Sequence, residues 1–363
     1  MTGRKPEGEL RRGWTTGACA TAAVVAAYRA LLTGGFADDT VTITLPRGQE
    51  PTFQLVRREI TGDRATASVI KDAGDDPDVT HGCEVVVTVA PGPAGAGVTF
   101  LAGEGVGTVT LVGLPLEVGE PAINPAPRAM IRSAVEAIAA ELGDAGDIEV
   151  TVAIPGGEAL AAKTMNGRLG ILGGLSILGT TGVVIPYSCA SWINSIHRGI
   201  DVARGLGLRH LIAATGSTSE KSARERYDAS EQALIDMGDF AGGMLKYLRS
   251  KPVERLTLAG GFAKLAKLGQ GHLDLHSSRS SLDMDRLARL AETLGANDDD
   301  RRAIAEANTG LAALEHARQK GLALADAVAS TARESALATL SGGTEVEVIV
   351  YDRQGNEVGH AGF

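Results

Sequence analysis

Four aspartates crowd one loop of the chain, at Asp72, Asp75, Asp76 and Asp78. Asp75 and Asp76 are adjacent, so their charges repel each other directly. A loop that accepts this repulsion is suited to hold a cation or cationic group, or a carboxyl group with a raised pKa. The spacing does not match an EF-hand. The alternative is an ordinary solvated turn, because aspartate is common in turns.

A second candidate is the stretch 163–188, where six glycines alternate with Leu, Ile and Val. Flexible linkers are polar, so this apolar stretch is expected to be packed, with something approaching its backbone closely. Gly174, followed by Gly179-Thr180-Thr181, is close to a phosphate-binding loop. Thr180 stands at the position of the lysine that contacts the phosphates in such a loop, which argues against a nucleoside triphosphatase. We therefore expect the backbone N–H groups of this stretch, including that of Gly173, to face a carboxylate or a small cofactor. The alternative is a tightly packed loop that binds no ligand.

Two shorter turns also carry glycine. Gly103, Gly105 and Gly107 alternate after a strand, as in turns that bind adenosyl groups or dinucleotides. Such a turn needs a helix next, and residues 108–112 have the pattern of a strand, so a β-bulge or hairpin is favoured there. Thr15-Thr16-Gly17 precedes an alanine-rich helical run, with Thr16 as the expected N-cap.

Arg128 is a candidate partner for an anionic ligand. It lies in the first turn of a helix that Asn124 and Pro125 begin. A cation there opposes the helix dipole, which an anionic partner would offset. The alternative is an exposed arginine that points away from the helix.

The segment 269–279 holds two histidines, His272 and His276, and Arg279. On a helix the histidines would share a face, as in zinc sites. Leu273 stands where a metalloprotease motif needs glutamate, and flanking glycines favour a loop. We therefore expect these residues to face an anionic ligand, with no metal bound by the protein.

The elements around these residues fall into two groups. Residues 1–145 combine a helix at Ala18–Leu32, several alternating strands and a helix that ends at Leu142, which predicts an α+β domain with a mainly antiparallel sheet. Glycines and aspartates at 143–147 mark the expected boundary. Residues 146–363 alternate strands and helices, which predicts an α/β domain that carries the glycine-rich loop. In it, residues 219–249 are expected to be mostly helical and Val346–Tyr351 to be the last strand.

The composition narrows the class of protein. The chain has 363 residues, 44% of them hydrophobic, and a net charge of −9 with no long basic run, so nucleic acid is not an expected partner. No apolar run reaches the expected length of a membrane span, and no signal peptide is recognisable, which predicts a cytoplasmic protein. The three cysteines are far apart and are expected to be reduced core residues rather than nucleophiles.

Taken together, the motifs resemble one family. Gly13–Gly17, Lys71–Asp78, Gly105–Gly107, Pro121–Arg128 and Arg168–Gly182 occur in the order and spacing of the cobalt-precorrin-5B C1-methyltransferases of anaerobic-type cobalamin synthesis. The resemblance covers nearly the whole chain. It departs at Asp274–Ser278, where related sequences tend to show Asn-Thr-His-Ser-His.

The resemblance implies transfer of a methyl group from S-adenosylmethionine to C1 of cobalt-precorrin-5B, a ring-contracted tetrapyrrole, to give cobalt-precorrin-6A. The cobalt is carried by the substrate, and the fold is not that of a typical Rossmann methyltransferase. A sulfonium would be met by Asp72, Asp75 and Asp76, which we take as the catalytic candidates. Backbone N–H groups for the cofactor would come from the glycine motifs and threonines named above. The polyanionic corrinoid would meet Arg128, Lys163, Arg168, His272, His276 and Arg279.

Two other functions stay open. One is an enzyme that uses a nucleoside triphosphate bound at Gly174–Thr181. The other is a non-catalytic corrinoid-binding protein. A homo-oligomer is compatible with each of these.

Overall fold

The computed structural model describes residues 8–363, which form a mixed α/β protein with several sheets. The chain divides into two compact units, Met1–Cys189 and Ala190–Phe363.

The first unit contains three helices and ten strands within its described residues. They are β1 (Gly13–Trp14), α1 (Thr16–Thr33), β2 (Thr40–Thr42), β3 (Thr52–Thr61), β4 (Arg64–Ile70), β5 (Glu84–Pro91), β6 (Val98–Ala102), β7 (Thr108–Val109), α2 (Pro125–Leu142), β8 (Ile148–Ala153), α3 (Gly157–Ala161), β9 (Ile171–Leu172) and β10 (Val183–Val184).

Six of these strands form the main sheet, in the order β2-β3-β4-β5-β8-β6. Every neighbouring pair is antiparallel except β6 with β8. Helix α1 packs on β4, β5 and α2. Because most of its buried side chains are alanines, it can lie close to the sheet. It is long and apolar enough to cross a membrane by length and composition, contrary to our expectation, but 78% of it is buried within the protein, as in a core helix.

The ends of both long helices follow from local sequence. The N-cap of α1 is Thr15, not Thr16 as expected, because the Thr15 side chain accepts a hydrogen bond from the Ala18 N–H. Its C-cap is Gly34 in the left-handed conformation, which glycine adopts without strain. Helix α2 begins after Asn124 with a proline at its first position, which confirms that prediction.

The boundary between the units differs from the predicted one near residue 145. Strand β8 was expected to open the second domain, but it lies in the first sheet, antiparallel to β5 and parallel to β6. The glycine-rich stretch follows β8 and also belongs to the first unit. Local sequence shows that β8 is a strand but does not show which strands it pairs with.

The second unit contains eight α-helices and five strands. They are α4 (Cys189–Gly205), β11 (His210–Ala214), α5 (Ser217–Tyr227), β12 (Leu234–Asp236), α6 (Ala241–Ser250), β13 (Arg255–Gly261), α7 (Phe262–Gly269), α8 (Met284–Glu292), α9 (Asp298–Ala305), α10 (Gly310–Gln319), α11 (Leu324–Leu340), β14 (Glu345–Tyr351) and β15 (Glu357–Ala361).

Its sheet has the order β12-β11-β13-β14-β15. The first four strands are parallel and β15 is antiparallel to β14. Sequence analysis missed two of the strands. Strand β12 is only three residues long and lies within the stretch that was expected to be mostly helical, and β15 follows the strand that was expected to be the last.

Candidate functional site

The glycine-rich stretch is hydrogen-bonded to two other motifs through its backbone. The Leu175 N–H donates to the Gly105 carbonyl at 2.8 Å, and the Gly107 N–H donates to the Leu175 carbonyl at 2.8 Å. Further along, the Ile177 N–H donates to the Ala122 carbonyl at 2.8 Å. The glycine-rich stretch, the turn at Gly103–Gly107 and the segment before α2 are therefore joined by backbone hydrogen bonds, and we call this set of segments the framework.

The start of α1 joins the same framework. The Gly17 N–H donates to the Leu178 carbonyl at 2.9 Å, and the Thr15 N–H donates to the Gly182 carbonyl at 2.9 Å. The Thr16 hydroxyl accepts a hydrogen bond from the Leu178 N–H at 2.9 Å. The N–H groups of Thr15 and Gly17, which were predicted to meet the cofactor, are therefore bonded within the protein.

Close packing explains most of the predicted cofactor glycines. A Cβ atom at Gly174 would lie 2.2 Å from the carbonyl carbon of Gly105, and one at Gly105 would lie 2.0 Å from the Ile154 carbonyl oxygen. A Cβ atom would also come within 3.0 Å of other protein atoms at the remaining predicted glycines Gly17, Gly103, Gly107 and Gly179. At these positions the close neighbour is the protein itself, which supports the packing-loop alternative.

The other predicted cofactor residues lie on the outside of the stretch. Gly173 has φ +83°, and a Cβ atom there would meet nothing within 4 Å. Thr180 is exposed, and the Thr181 hydroxyl accepts a hydrogen bond from the Val183 N–H at 3.3 Å. Among the predicted cofactor glycines, only Gly173 has open space beside its backbone.

The turn at Gly103–Gly107 is not followed by a helix. It leads into the strand β7, as predicted, but β7 covers only Thr108–Val109 of the predicted 108–112, and it pairs antiparallel with β9. The residues Glu104 and Gly105 line a pocket together with residues 156–159. The strand–turn–helix arrangement of a dinucleotide site is therefore absent from this turn.

The aspartate-rich loop is attached to both ends of this framework. The Trp14 N–H, next to Thr15, donates to the Asp72 carbonyl at 2.7 Å. The Tyr187 N–H, near the end of the glycine-rich stretch, donates to Asp76 Oδ1 at 2.7 Å. Asp75 Oδ2 accepts a hydrogen bond from the Arg11 N–H at 2.6 Å. Hydrogen bonds from the backbone thus offset the repulsion between Asp75 and Asp76.

The Asp72 carboxylate is held by hydrogen bonds from a guanidinium and a backbone N–H. The Arg11 guanidinium donates two hydrogen bonds to its carboxylate, and the Gly74 N–H donates a third at 2.9 Å. The hydrogen bonding to Arg11 lowers the pKa of Asp72 to about 2. Of the two possibilities given for this loop, a carboxyl group with a raised pKa does not describe Asp72, which is ionised at neutral pH and 43% exposed.

A buried ion pair beneath this loop was missed by sequence analysis. Lys71 is 2% exposed, and its Nζ donates to Asp78 Oδ2 at 2.6 Å. Burial alone would raise the pKa of Asp78, but the Lys71 ammonium and hydrogen bonds from Thr80 lower it below its usual value. The sequence feature that could have indicated this ion pair is a lysine that directly follows a buried strand and precedes the aspartates.

Arg128 holds the chain before α2 in place. Its Nε donates to the Ile123 carbonyl at 2.8 Å and its Nη2 to the Pro121 carbonyl at 3.0 Å. Its Nη1 also pairs with Glu120 at 2.5 Å, and its guanidinium lies 5.2 Å from the centre of the Phe100 ring. The guanidinium thus interacts with three oxygen atoms of the protein, and the Arg128 side chain is only 13% exposed. The anionic partner predicted for it is therefore supplied by the protein.

Two other cationic candidates begin the glycine-rich stretch. Lys163 is exposed and Arg168 is half-buried. Between them, the buried Asn166 donates from its amide to the Gly174 carbonyl at 3.0 Å, and it accepts a hydrogen bond from the Ser176 hydroxyl at 3.3 Å. Asn166 is a second organising residue that sequence analysis missed, because its partners lie in a loop without regular structure.

The histidine-containing segment belongs to the second unit. It forms a loop after α7, as its glycines predict, so the two histidines do not share a helix face. His276 Nδ1 bonds to the Ser278 hydroxyl at 2.8 Å, and Arg279 pairs with Asp274. His272 is half-buried. Within residues 8–363, no group of three or more His, Cys, Asp or Glu side chains is placed to hold a metal ion.

Two of the three cysteines have raised pKa values. All three are free thiols. Burial raises the pKa of Cys19 to about 12 and that of Cys83 to about 11. Since the thiolate is the reactive form, both are unreactive at neutral pH.

Comparison with known proteins gives consistent matches along the chain. The model of the CbiD family matches residues 3–186, and the model of the CbiD C-terminal domain matches residues 274–362. A cobalt-precorrin-5B C(1)-methyltransferase of Brucella anthropi is 58% identical over 349 residues, which are 96% of this chain and 95% of the relative. The chain belongs to the CbiD family.

Other CbiD proteins extend the comparison. A relative of the same name from Brucella canis is 56% identical over 355 residues, which are 97% of this chain and 96% of the relative. The crystal structure of a cobalamin biosynthesis protein (cbiD) from Archaeoglobus fulgidus aligns with a TM-score of 0.40 at 27% identity. That alignment covers 75% of this chain and 84% of the archaeal chain.

Proposed function

We propose that this CbiD protein transfers a methyl group to C1 of cobalt-precorrin-5B, giving cobalt-precorrin-6A in corrin biosynthesis. The support is the 56–58% identity to relatives of that name along almost the whole chain. The substrate brings its own cobalt, and the protein acts in the cytoplasm on this polyanionic corrinoid.

The proposed donor is S-adenosylmethionine, which supplies a methyl group on a sulfonium and leaves as a neutral thioether. Its transfer to a ring carbon needs alignment and a suitable electrostatic environment more than a strong base. The interlocked glycines of the first unit do not form a cradle for this donor, because protein atoms fill the space beside them. Gly173 is the exception. A Rossmann-type donor site at Gly103–Gly107 is also disfavoured, because β7 follows that turn.

The site assignment depends on one observation, which is that hydrogen bonds join five sequence motifs into a single framework. The loop containing Asp72, Asp75 and Asp76 is bonded to Trp14 on one side and to Tyr187 on the other. We assign its carboxylates to hold the cationic sulfonium of the donor beside the corrinoid. Asp72 is ionised at neutral pH and its carboxylate reaches solvent, although it also pairs with Arg11.

Cations must meet the acidic side chains of the corrinoid, since the protein as a whole is acidic. Lys163 and Arg168 are our candidates in the first unit, and His272, His276 and Arg279 are the candidates in the second. Arg128 has a different role, because three oxygens of the protein hold its guanidinium. We assign it to position the segment before α2.

A single-turnover reaction tests the function. The protein, cobalt-precorrin-5B and S-adenosylmethionine labelled in its methyl group should give one labelled methyl per corrinoid, at C1. Corrinoid binding without transfer would instead indicate a non-catalytic binding protein, and stoichiometric ATP binding would indicate an enzyme that uses nucleoside triphosphates.

Matched variants test the site. Asp72→Asn should raise the KM for S-adenosylmethionine more than it weakens corrinoid binding, because the carboxylate meets the cationic sulfonium of the donor. Lys163→Gln should weaken corrinoid binding, whereas Lys251→Gln, at an exposed lysine after α6, should not. Equal effects of the two lysine changes would contradict the assignment of Lys163.

A further inference from the structure

The backbone at Tyr187 adopts a conformation that a tyrosine does not favour. Its φ is +56°, in the left-handed region. Among the described residues other than glycine, only Asp228 and Ser341 also have a positive φ, and each of them is the left-handed C-cap of a helix. Tyr187 ends no helix, and a bulky side chain in this region is a genuine outlier. Such strain persists only where the surrounding structure enforces it, and it is concentrated at functional sites.

Tyr187 lies in a tight turn that has a less strained alternative. The Ser188 N–H donates to the Ile185 carbonyl at 3.2 Å, which closes a four-residue turn. The first central residue, Pro186, has a negative φ because of its ring, and the positive φ of the second, Tyr187, makes this a type II turn. A type II turn favours glycine at that second position. In a type I turn Pro186 would fit equally well, and Tyr187 would have a negative φ without strain.

A carboxylate selects between the two turn types. They differ by a rotation of the peptide group between Pro186 and Tyr187, which reverses the direction of the Tyr187 N–H. In the observed turn this N–H donates to Asp76 Oδ1 at 2.7 Å. Hydrogen bonds to a charged group are stronger than those between neutral groups, so the Asp76 carboxylate compensates for the strain at Tyr187. Without this acceptor, the type I turn should be favoured.

We propose that the turn Ile185–Ser188 is a two-state switch that the charge of the methyl donor operates. The inference rests on the proposed function, in which carboxylates of the aspartate-rich loop hold the cationic sulfonium. The sulfonium competes with the Tyr187 N–H for Asp76. When Asp76 turns to the donor, the turn changes from type II to type I, and the strain at Tyr187 is relieved. This strain therefore favours the donor-bound state.

The switch distinguishes the donor from its product. Once the methyl group has been transferred, S-adenosylhomocysteine is a neutral thioether and does not compete for the Asp76 carboxylate. The turn then returns to type II, which favours replacement of the product by fresh donor. The helix α4 begins at Cys189, directly after the turn, so the change of turn type alters the backbone at the start of this helix.

Calorimetric titration of the full chain with S-adenosylmethionine and with S-adenosylhomocysteine, in the absence of corrinoid, tests the switch without turnover. Tyr187→Gly removes the strain of the type II turn, because glycine adopts a left-handed φ freely. It should keep Asp76 bound to the turn and weaken S-adenosylmethionine binding roughly 5–30-fold, the factor that corresponds to the strain of one left-handed residue. Tyr187→Ala is the matched control, because it also lacks the ring but retains a Cβ atom and the strain. The two variants should bind S-adenosylhomocysteine equally.

Amide exchange measured by NMR follows the turn itself. The chain has five tyrosines, so isotopic labelling of tyrosine nitrogen gives few signals, and Tyr187→Phe identifies the signal of Tyr187. S-adenosylmethionine should accelerate exchange of the Tyr187 amide, and S-adenosylhomocysteine should not. In the ligand-free protein, Asp76→Ala should also accelerate it, whereas Asp75→Ala, at the adjacent carboxylate, should not.

The outcomes separate the switch from the proposed function. Equal S-adenosylmethionine affinities of Tyr187→Gly and Tyr187→Ala overturn the switch, as does exchange of the Tyr187 amide that S-adenosylmethionine leaves unchanged. The proposed function then stands if the parent still transfers the methyl group. If Tyr187→Gly binds both ligands more weakly than Tyr187→Ala to the same extent, the turn does not sense the charge of the donor, which also overturns the switch. A parent chain that does not bind S-adenosylmethionine contradicts both proposals.

Discussion

Replacing Gly174 by alanine tests whether the glycine-rich stretch is a packing element. The new methyl group would lie 2.2 Å from both the carbonyl carbon and the carbonyl oxygen of Gly105, about 1 Å closer than van der Waals contact allows. The neighbouring Gly173 is a matched control. It has a left-handed φ of +83°, but its methyl group would enter open space.

The expected magnitudes follow from the contacts. To accommodate a methyl group at Gly174, Gly105 must move, which breaks the hydrogen bonds at 2.8 Å that join Leu175 to Gly105 and Gly107. Each buried group left without a partner costs about 1–3 kcal/mol, so Gly174→Ala should lower the free energy of unfolding by about 2–6 kcal/mol. Gly173→Ala should lower it by only about 1–2 kcal/mol, the cost of a left-handed backbone for a residue with a Cβ atom.

Urea unfolding measured by tryptophan fluorescence can resolve this difference. The chain has two tryptophans, with Trp14 in the first unit and Trp192 in the second. In a Trp192→Phe background the signal reports Trp14, which lies in β1 and pairs with β10 at the end of the glycine-rich stretch. Our reasoning is refuted if Gly174→Ala stays within about 0.5 kcal/mol of the background protein, as a change away from any packed contact would. A larger loss in Gly173→Ala than in Gly174→Ala would refute it equally.

Two further predictions concern the aspartate-rich loop. Asp78→Asn should destabilise the first unit by about 3 kcal/mol in the same urea assay, because it leaves the buried Lys71 ammonium without a counter-charge. Adding Lys71→Met should recover part of this loss of stability. A double variant as unstable as Asp78→Asn would contradict the role of the ion pair. The pKa of Asp72 is held at about 2, below its ordinary value of 3.8, so its ion pair with Arg11 should stabilise the loop fully above about pH 5 and progressively less as the pH falls through 2. An NMR titration of the Asp72 carboxyl carbon should show that low pKa in the parent and a higher pKa in Arg11→Gln, whereas the same low pKa in both would exclude Arg11 as the cause.

Local sequence was most informative where a single segment decides the structure. The caps of α1 and α2 follow from threonine, proline and glycine at defined positions, although the N-cap of α1 was misplaced by one residue and the helix spans Thr16–Thr33 instead of the predicted Ala18–Leu32. Strand β12 could not be recognised, because three residues between helical stretches carry too little pattern. Its detection depends on the register of Ala214 with Asp236 in the neighbouring strand.

The candidate site shows the same division. The residue types predicted a packed glycine-rich stretch and a loop of carboxylates, and the order of the motifs predicted the family. Sequence could not distinguish glycines that admit another chain segment from glycines that leave room for a ligand. A Cβ atom at Gly174 would meet the Gly105 carbonyl group, whereas one at the adjacent Gly173 would enter open space.

The sequence by itself determined which residues are chemically distinctive, the class of structural element that holds most of them, and the family. The tertiary structure decided the partners of those residues. It paired Arg128 with three oxygens of its own chain, buried Lys71 against Asp78, and placed β8 in the first sheet. The physical reason is that hydrogen bonds and close contacts join residues far apart in the chain, whereas sequence patterns report only on neighbours along it.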